Sequence, residues 1–265
     1  VKNNLINALA AGIDAGTVVT TAPKNLELSG NCINLASQAV APTTPTVGVF
    51  LSGVSGVQAP VVSNNTIAGP FYGHMLYDVN ATPATVISGG SITGAMQGVA
   101  ILNIDPISLA AFAASKADVQ NVTMSGFTGN HPALPNNNFH AGVYTFTGGP
   151  VTTATITSTL FNLNISGTGK PNQESAGIDN ADFSTGAGNR QNITINECLI
   201  NNNANRGITI RGGNALVDIN QSTLTNNGGD PYGLGGNDGF GIMVREGAVV
   251  TVDNCFITNP ASVTG

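Results

Sequence analysis

The chain has 265 residues, of which 41% are hydrophobic, 8% are charged and 34 are glycine, and its formal net charge is −6 at pH 7. Its eight Lys and Arg residues form no cluster, which excludes the basic surface that nucleic acid or an anionic membrane requires, and no apolar stretch is long enough to span a membrane. Disordered chains are rich in charge and poor in Val and Ile, so this composition instead indicates a narrow fold with many bends.

One short pattern recurs along the chain. In a clear copy, the branched residue Ile219 is followed by a small residue at +3 (Ser222), an aliphatic residue at +5 (Leu224) and an asparagine at +7 (Asn226). Apolar residues two apart are typical of strands, because successive side chains point to opposite faces. A glycine followed by a further strand then completes the copy. The nine predicted starts are Val1, Leu28, Val62, Ile87, Val119, Ile156, Ile195, Ile219 and Val252.

A unit of about 30 residues with three short strands cannot bury its apolar face alone, so the copies must stack as a solenoid. The pattern resembles that of the right-handed parallel β-helix families, namely the pectate-lyase-like group and the passengers and adhesins of bacterial surfaces, although none of their catalytic motifs accompanies it. The predicted fold is therefore all-β, a parallel β-helix of about nine coils that forms one domain over residues 1–265. We expect an excerpt of a longer chain, because no capping segment is recognisable at either end.

The pattern also predicts where particular side chains lie. Ile195, Ile219 and Val252 are expected to stack in the core. Five residues are expected to share one corner of successive coils: Cys198, Ser222, Cys255, Asn202 and Asn226. The cysteines are expected to be free thiols, since coils about 4.8 Å apart place Cys198 and Cys255 too far from each other for a disulfide.

Two kinds of insertion interrupt the coils. A short lateral helix or loop is predicted over 105–116, because Asp105 could cap a helix that begins at Pro106. Long polar insertions are predicted to begin after Leu35, Gly126, Leu163 and Asn226, always before the glycine of the third strand. Stacking would align these insertions along one edge of the rod, and loops on a rigid scaffold often carry recognition. The predicted partner surface comprises residues 42–45, 131–140, 169–174 and 230–238.

Arginine residues are the candidates for chemistry if the chain is a polysaccharide lyase, which needs a base and a cation to hold the developing charge. They are Arg206, Arg211 and Arg245, and the last two lie at the same offset from a Gly-Ile pair. The alternative is that these arginines cap strands and bind loop carbonyls or the carboxylates of Asp218 and Glu246.

A glycoside hydrolase would instead need two facing carboxyl groups. Asp179 is predicted to point outward, but the equivalent residues of the neighbouring coils are Tyr144 and Thr209, so the sequence disfavours hydrolysis of this kind.

Further ligand-binding candidates lie in the insertions. Asp230, Asn237 and Asp238 carry oxygen atoms on a glycine-rich segment that could wrap calcium, with Asp230 and Asp238 as the metal ligands. The alternative is a polar loop whose side chains stabilise turns. His131 and His140 could contact a ligand, or could be ordinary loop residues.

These observations favour an extracellular structural or adhesive rod of a bacterial surface or secreted protein. Its expected partner is a cell-surface or polysaccharide ligand, bound through loops on one edge, or neighbouring subunits of an assembly. No cofactor other than calcium is indicated. The alternative is a polysaccharide lyase or another carbohydrate-active enzyme.

Overall fold

The computed structural model describes residues 1–9, 11–15, 26–36, 46–56, 59–69, 71–103, 114–127, 139–148, 155–169, 174–183, 190–228 and 239–258. These residues contain 25 strands and no helix, and hence no helix that could cross a membrane. In chain order the strands are β1 Leu5–Ala8, β2 Ala11–Ala15, β3 Glu27–Ser29, β4 Cys32–Leu35, β5 Val47–Gly56, β6 Val61–Ser63, β7 Thr66–Ala68, β8 Tyr72–Ala81, β9 Thr85–Ser88, β10 Ser91–Thr93, β11 Gln97–Leu102, β12 Ala114–Gln120, β13 Thr123–Ser125, β14 His140–Thr147, β15 Thr155–Phe161, β16 Asn164–Ser166, β17 Ser175–Asp182, β18 Arg190–Asn196, β19 Leu199–Asn201, β20 Arg206–Arg211, β21 Ala215–Asn220, β22 Thr223–Thr225, β23 Phe240–Arg245, β24 Val249–Asp253 and β25 Phe256–Thr258.

The strands form three parallel sheets, and the chain visits them in a fixed rotation. Sheet A has the order β3-β6-β9-β12-β15-β18-β21-β24, sheet B the order β1-β4-β7-β10-β13-β16-β19-β22-β25, and sheet C the order β2-β5-β8-β11-β14-β17-β20-β23. Each strand therefore pairs with its equivalents one coil before and one coil after. The nine strands of sheet B correspond to nine coils, which confirms the predicted parallel β-helix.

The strand register confirms the predicted stack, with one error of register and one of burial. Ile195 pairs with Ile219, and Ile219 with Val252. Ile195 and Ile219 are fully buried, whereas Val252 in the last coil is 47% exposed and does not lie in the core. On the other side, however, Ile195 pairs with Leu160 and not with Ile156. The start predicted at Ile156 is therefore wrong by four residues. Both residues are fully buried on the inward face of β15, so a pattern of alternating apolar residues fits either one.

This slip also misplaced one insertion. The segment after Leu163 is not a loop, because it forms β16. The other predicted insertions, at 37–45, 128–138 and 229–238, fall in the sequence between strands of sheets B and C, and they lie outside the described residues. Of the predicted 105–116 insertion, Ala114 to Lys116 begin strand β12, and the remainder lies outside the described residues.

The bend from sheet A to sheet B is two residues long, and its first residue adopts a left-handed conformation, as at Asn64 with φ of 53°. Asparagine tolerates this region better than most residues. The second residue points inward, and in the first three coils it forms a ladder of Asn4, Asn31 and Asn65. The backbone N–H and side-chain amide of Asn31 both donate to Asn65 Oδ1, at 3.1 and 2.9 Å. The ladder therefore satisfies buried polar groups at this bend.

The small residues and the asparagines of the pattern do not share a corner, contrary to the prediction. Cys198 precedes β19 and Asn202 follows it, so a three-residue strand separates them. Asn202 has φ of 53°, and the next residue, Asn203, donates its side-chain amide to Asn227 Oδ1 at 2.8 Å. The chain thus uses an asparagine ladder at the bend out of sheet B as well. The three cysteines are free, as predicted.

Aliphatic columns from the three sheets fill the interior. In sheet C, a glycine precedes each residue of the inward-facing column that contains Val49, His74 and Val99. A Cβ atom on one of these glycines, Gly73, would lie only 2.5 Å from Ile92 Cγ2. One member of that column is polar: His74 pairs with Val49 and Val99 and is 3% exposed. The core therefore contains an imidazole at a position where the neighbouring coils place valine.

Candidate functional site on the outer face of sheet C

The outer face of sheet C carries the largest concentration of aromatic side chains among the described residues. Val143 and Ile178 belong to the core that the three sheets enclose, whereas Tyr144, the next residue after Val143, packs against a separate apolar cluster. Alternation along the strands therefore places Tyr144 and its equivalents outside. From coil to coil, this outer column is Asp14, Phe50, Met75, Ala100, Tyr144, Asp179, Thr209 and Met243.

Asp179 and Arg211 form the electrostatic centre of this face. Arg211 Nη2 donates a hydrogen bond of 2.7 Å to Asp179 Oδ2. The two residues are diagonal neighbours, since Asp179 pairs with Thr209 and Arg211 lies two residues further along β20. Asp179 is fully buried, and a buried carboxylate needs such a partner because desolvation penalises an isolated charge.

A second carboxylate, that of Glu174, lies at the rim of the site. Its Oε2 is 3.8 Å from Arg211 Nη1, and its Oε1 is 3.8 Å from Arg206 Nη2. The side chain of Glu174 is 51% exposed, whereas that of Arg206 is 2% exposed. The site therefore contains an inner, fixed carboxylate and an outer, loosely held one.

Two aromatic rings fix the guanidinium of Arg211. Its Cζ lies 4.9 Å from the ring centre of Phe139 and 5.2 Å from that of Phe183. Both distances are within the range of a cation–π interaction. Together with Asp179, the rings hold the guanidinium in one orientation before any ligand arrives.

Burial and charge act in opposite directions on these groups. Burial raises the pKa of Asp179 to about 6, although the charge of Arg211 and its hydrogen bond lower it. Burial alone would lower the pKa of Arg211, but the Asp179 carboxylate raises it overall. Burial, and then the charge of Asp179, raises the pKa of Tyr144 well above its usual range. At pH 7 the centre therefore holds an ion pair beside a neutral phenol.

Two buried oxygen atoms in this centre lack a hydrogen-bond partner among the described residues. They are Asp179 Oδ1 and Thr209 Oγ1, on neighbouring strands of the same outer column. Buried polar atoms usually have a partner, because an unsatisfied one retains its full desolvation cost. The centre therefore retains hydrogen-bonding capacity that the described residues do not use.

Two groups of aromatic side chains, separated by Ala100 and Leu102 of β11, form an interrupted aromatic stripe from this centre along the rod. Phe183 lies 5.8 Å from Phe146, which lies 5.9 Å from Tyr144, measured between ring centres. Further along the face, Phe50 and Tyr77 are 5.3 Å apart. Five spacings of about 4.8 Å separate β5 from β20, so the face from Phe50 to the Arg211 centre extends for about 24 Å.

The inward sides of the same strands carry a polar network within the core. Gln191 Oε1 accepts a hydrogen bond of 3.0 Å from Thr145 Oγ1, which in turn accepts one of 2.9 Å from Asn180 Nδ2. The amide of Gln191 also donates to Thr147 Oγ1 and to the carbonyl of Ala181. Thr145 follows Tyr144 and Asn180 follows Asp179, so this network lies directly behind the outer centre.

Of the arginines predicted from the sequence, two meet at this centre and the third is its neighbour. Arg211 pairs with Arg245 in the adjacent strand, as their common offset predicted. The alternative interpretation named Asp218 and Glu246 as carboxylate partners of these arginines, but the carboxylates that Arg211 contacts are those of Asp179 and Glu174. Asp218 lies on sheet A.

The other predicted ligand residues divide into two groups. His140 is fully buried at the start of β14, where its backbone N–H donates to the Glu174 carbonyl at 3.1 Å, and so it is not a loop residue. The remaining residues, His131, Asp230, Asn237 and Asp238, lie outside the described residues, as does the predicted calcium loop. The described residues contain no group of three His, Cys, Asp or Glu side chains that could hold a metal ion.

Sequence reasoning placed Asp179 on the outer face and named its neighbours Tyr144 and Thr209 correctly. It missed the ion pair because it compared residues at equal offsets, whereas Arg211 is a diagonal neighbour. Such neighbours are within reach of long side chains, so a comparison of adjacent coils at offsets of two would have found the pair.

No family model matches the chain, and neither the curated proteins nor the solved structures gave a match.

Proposed function

We propose that the protein is an extracellular β-helical rod that binds a saccharide polymer along the outer face of sheet C. The observation that carries this proposal is the aromatic stripe that ends at a guanidinium held between Phe139 and Phe183. The predicted loop surface remains part of the proposal, since the loops join the strands of this face. The low charge of the chain and its resemblance to surface passengers support the extracellular location.

The chemistry of the face suits a saccharide for two reasons. Aromatic rings offer flat apolar surfaces, against which the C–H faces of sugar rings can pack, and Phe183 is 49% exposed. Arg211 adds a fixed set of donors, which can bind hydroxyl or carboxylate oxygens. A stripe about 24 Å long matches an extended polymer better than a small molecule.

Binding can be tested by affinity electrophoresis through gels that contain acidic or neutral polysaccharides. Replacement of Phe183 by Ala should weaken retardation by roughly fivefold in apparent affinity, equivalent to about 1 kcal/mol, because an exposed stacking surface is lost. Phe256→Ala is the matched control, since Phe256 is 59% exposed but lies on sheet B. Equal effects of the two substitutions, or no retardation by any polysaccharide, would refute binding at sheet C.

The second candidate is a carbohydrate-active enzyme, which one observation favours. A carboxyl group with a pKa of about 6 and an unpartnered Oδ1, next to Arg211, has the character of a general acid or base. The enzyme is less favoured than the binding protein because Asp179 is completely buried, and a catalytic group must reach its substrate. Formation of unsaturated or reducing products from the same polysaccharides, abolished by Asp179→Asn, would favour the enzyme.

A further inference from the structure

We infer that Arg206 and Arg211 form a binding site for the carboxylate group of an acidic ligand, and that Glu174 occupies this site in the free protein. The inference deepens the proposed function and rests on it only for the expectation that the ligand is a saccharide. The carboxylate site itself rests on the positions of three side chains.

The first argument is the difference between the two acidic residues. Asp179 is fully buried and lies 2.7 Å from Arg211, so it is a permanent partner. Glu174 is half exposed and is 3.8 Å from each arginine, beyond hydrogen-bonding distance. An ion pair at this distance, with a half-exposed carboxylate and no hydrogen bond, contributes little stability, so a ligand can displace Glu174 at low cost.

The second argument is the shape of the contact. Glu174 directs Oε1 to Arg206 and Oε2 to Arg211, so its carboxylate bridges two guanidinium groups. Arg206 is buried, and Arg211 is held by two rings and by Asp179. The cations are therefore held by other groups, whereas the carboxylate between them is half exposed and offers one oxygen to each arginine. A ligand carboxylate can take the same bridging position.

The third argument is charge balance. Glu174 contributes one negative charge beside the two guanidinium groups. When its carboxylate moves outward, the site becomes more positive by one charge, which a ligand carboxylate can replace. The site then matches a ligand with a single carboxylate, and it discriminates against a neutral sugar of the same shape.

The decisive variant is Glu174→Gln, which removes the competing charge and retains the size of the side chain. Because Glu174 is half exposed, this variant should fold like the wild type. We expect it to bind glucuronate up to about fivefold more tightly than the wild type, since an exposed ion pair of this kind has that limit. Glu246→Gln is the matched control, because it removes one exposed carboxylate at another bend of the chain. Glucuronate, glucose and acetate would be titrated against each protein and followed by NMR.

Tighter glucuronate binding in Glu174→Gln alone, with no change for glucose, supports the inference. Equal gains for glucuronate and acetate would support the carboxylate site but not saccharide recognition, so the proposed function would fail separately. Unchanged or weaker glucuronate binding in Glu174→Gln would overturn the inference, and so would an equal gain in Glu246→Gln. Binding of neutral polysaccharide with no effect of Glu174→Gln would retain the proposed function and refute this carboxylate site.

Discussion

His74 makes the stability of the β-helix depend on pH, and its replacement should change that dependence by a calculable amount. Its imidazole is 3% exposed within an aliphatic column, and neither ring nitrogen has a hydrogen-bond partner among the described residues. Burial lowers its pKa from the usual 6.5 to about 4. The neutral ring is therefore the form that the folded core accepts.

The sign follows from proton binding. Below pH 6.5 the unfolded chain binds a proton at this histidine, whereas the folded chain does not until the pH approaches 4, so stability falls as the pH falls through this window. At pH 5 the pH lies about 1.5 units below the pKa of the histidine in the unfolded chain. The free energy of unfolding is therefore lower by about 2 kcal/mol than at neutral pH. Asp179 acts in the opposite direction. Its pKa is raised from 3.8 to about 6, so acidification through pH 6 stabilises the folded chain relative to the unfolded chain.

The replacement isolates the histidine, because the contribution of Asp179 is common to both proteins. Between pH 7 and pH 5 the wild type should therefore lose about 2 kcal/mol more stability than His74→Val. Valine suits the position because Val49 and Val99 are its neighbours in the column. Urea unfolding followed by circular dichroism at both pH values measures the change. His74→Gln is the control, because it is polar but does not titrate. If both variants show the pH dependence of the wild type, the imidazole is not held neutral in the core.

Three further substitutions test other parts of the structure. Ile219→Asp should unfold or aggregate the protein, because an unpaired buried charge costs several kcal/mol. Leu216→Asp, on the exposed face of the same strand, is the control and should cost less than about 1 kcal/mol. A folded, soluble Ile219→Asp protein would show that the register is wrong. Carbon NMR should show the Asp179 carboxyl group titrating near pH 6. Arg211→Gln should raise this midpoint, because the guanidinium favours the ionised carboxylate. A lower midpoint in the variant would contradict the ion pair. Gln191→Leu should lower the free energy of unfolding by about 1–3 kcal/mol, because Thr145, Thr147 and the Ala181 carbonyl each lose a buried hydrogen bond. Unchanged stability in urea would show that the network is dispensable.

The repeat could be predicted from the sequence because each coil restates the same physical constraints. Stacked aliphatic residues and the glycine before the third strand recur at fixed offsets, so several copies agree on one register. The prediction failed at Ile156, where β15 is seven residues long and places more than one buried residue on the inward face. It also missed the Asp179 and Arg211 ion pair, because a repeat reveals equivalent positions and not the diagonal contacts between them.

The division of roles among the sheets explains why the candidate site lies on sheet C. Most strands of sheet B have three residues, and the bend that leads into them from sheet A has two residues, of which the first is left-handed, as at Asn64. A longer insertion at this bend would break the asparagine ladder that satisfies its buried polar groups. Strands of sheet C reach ten residues, as in β5 and β8, and the long connections of the chain occur at their two ends. Sheet C can therefore vary its connections and its outer side chains while sheets A and B keep the coil intact.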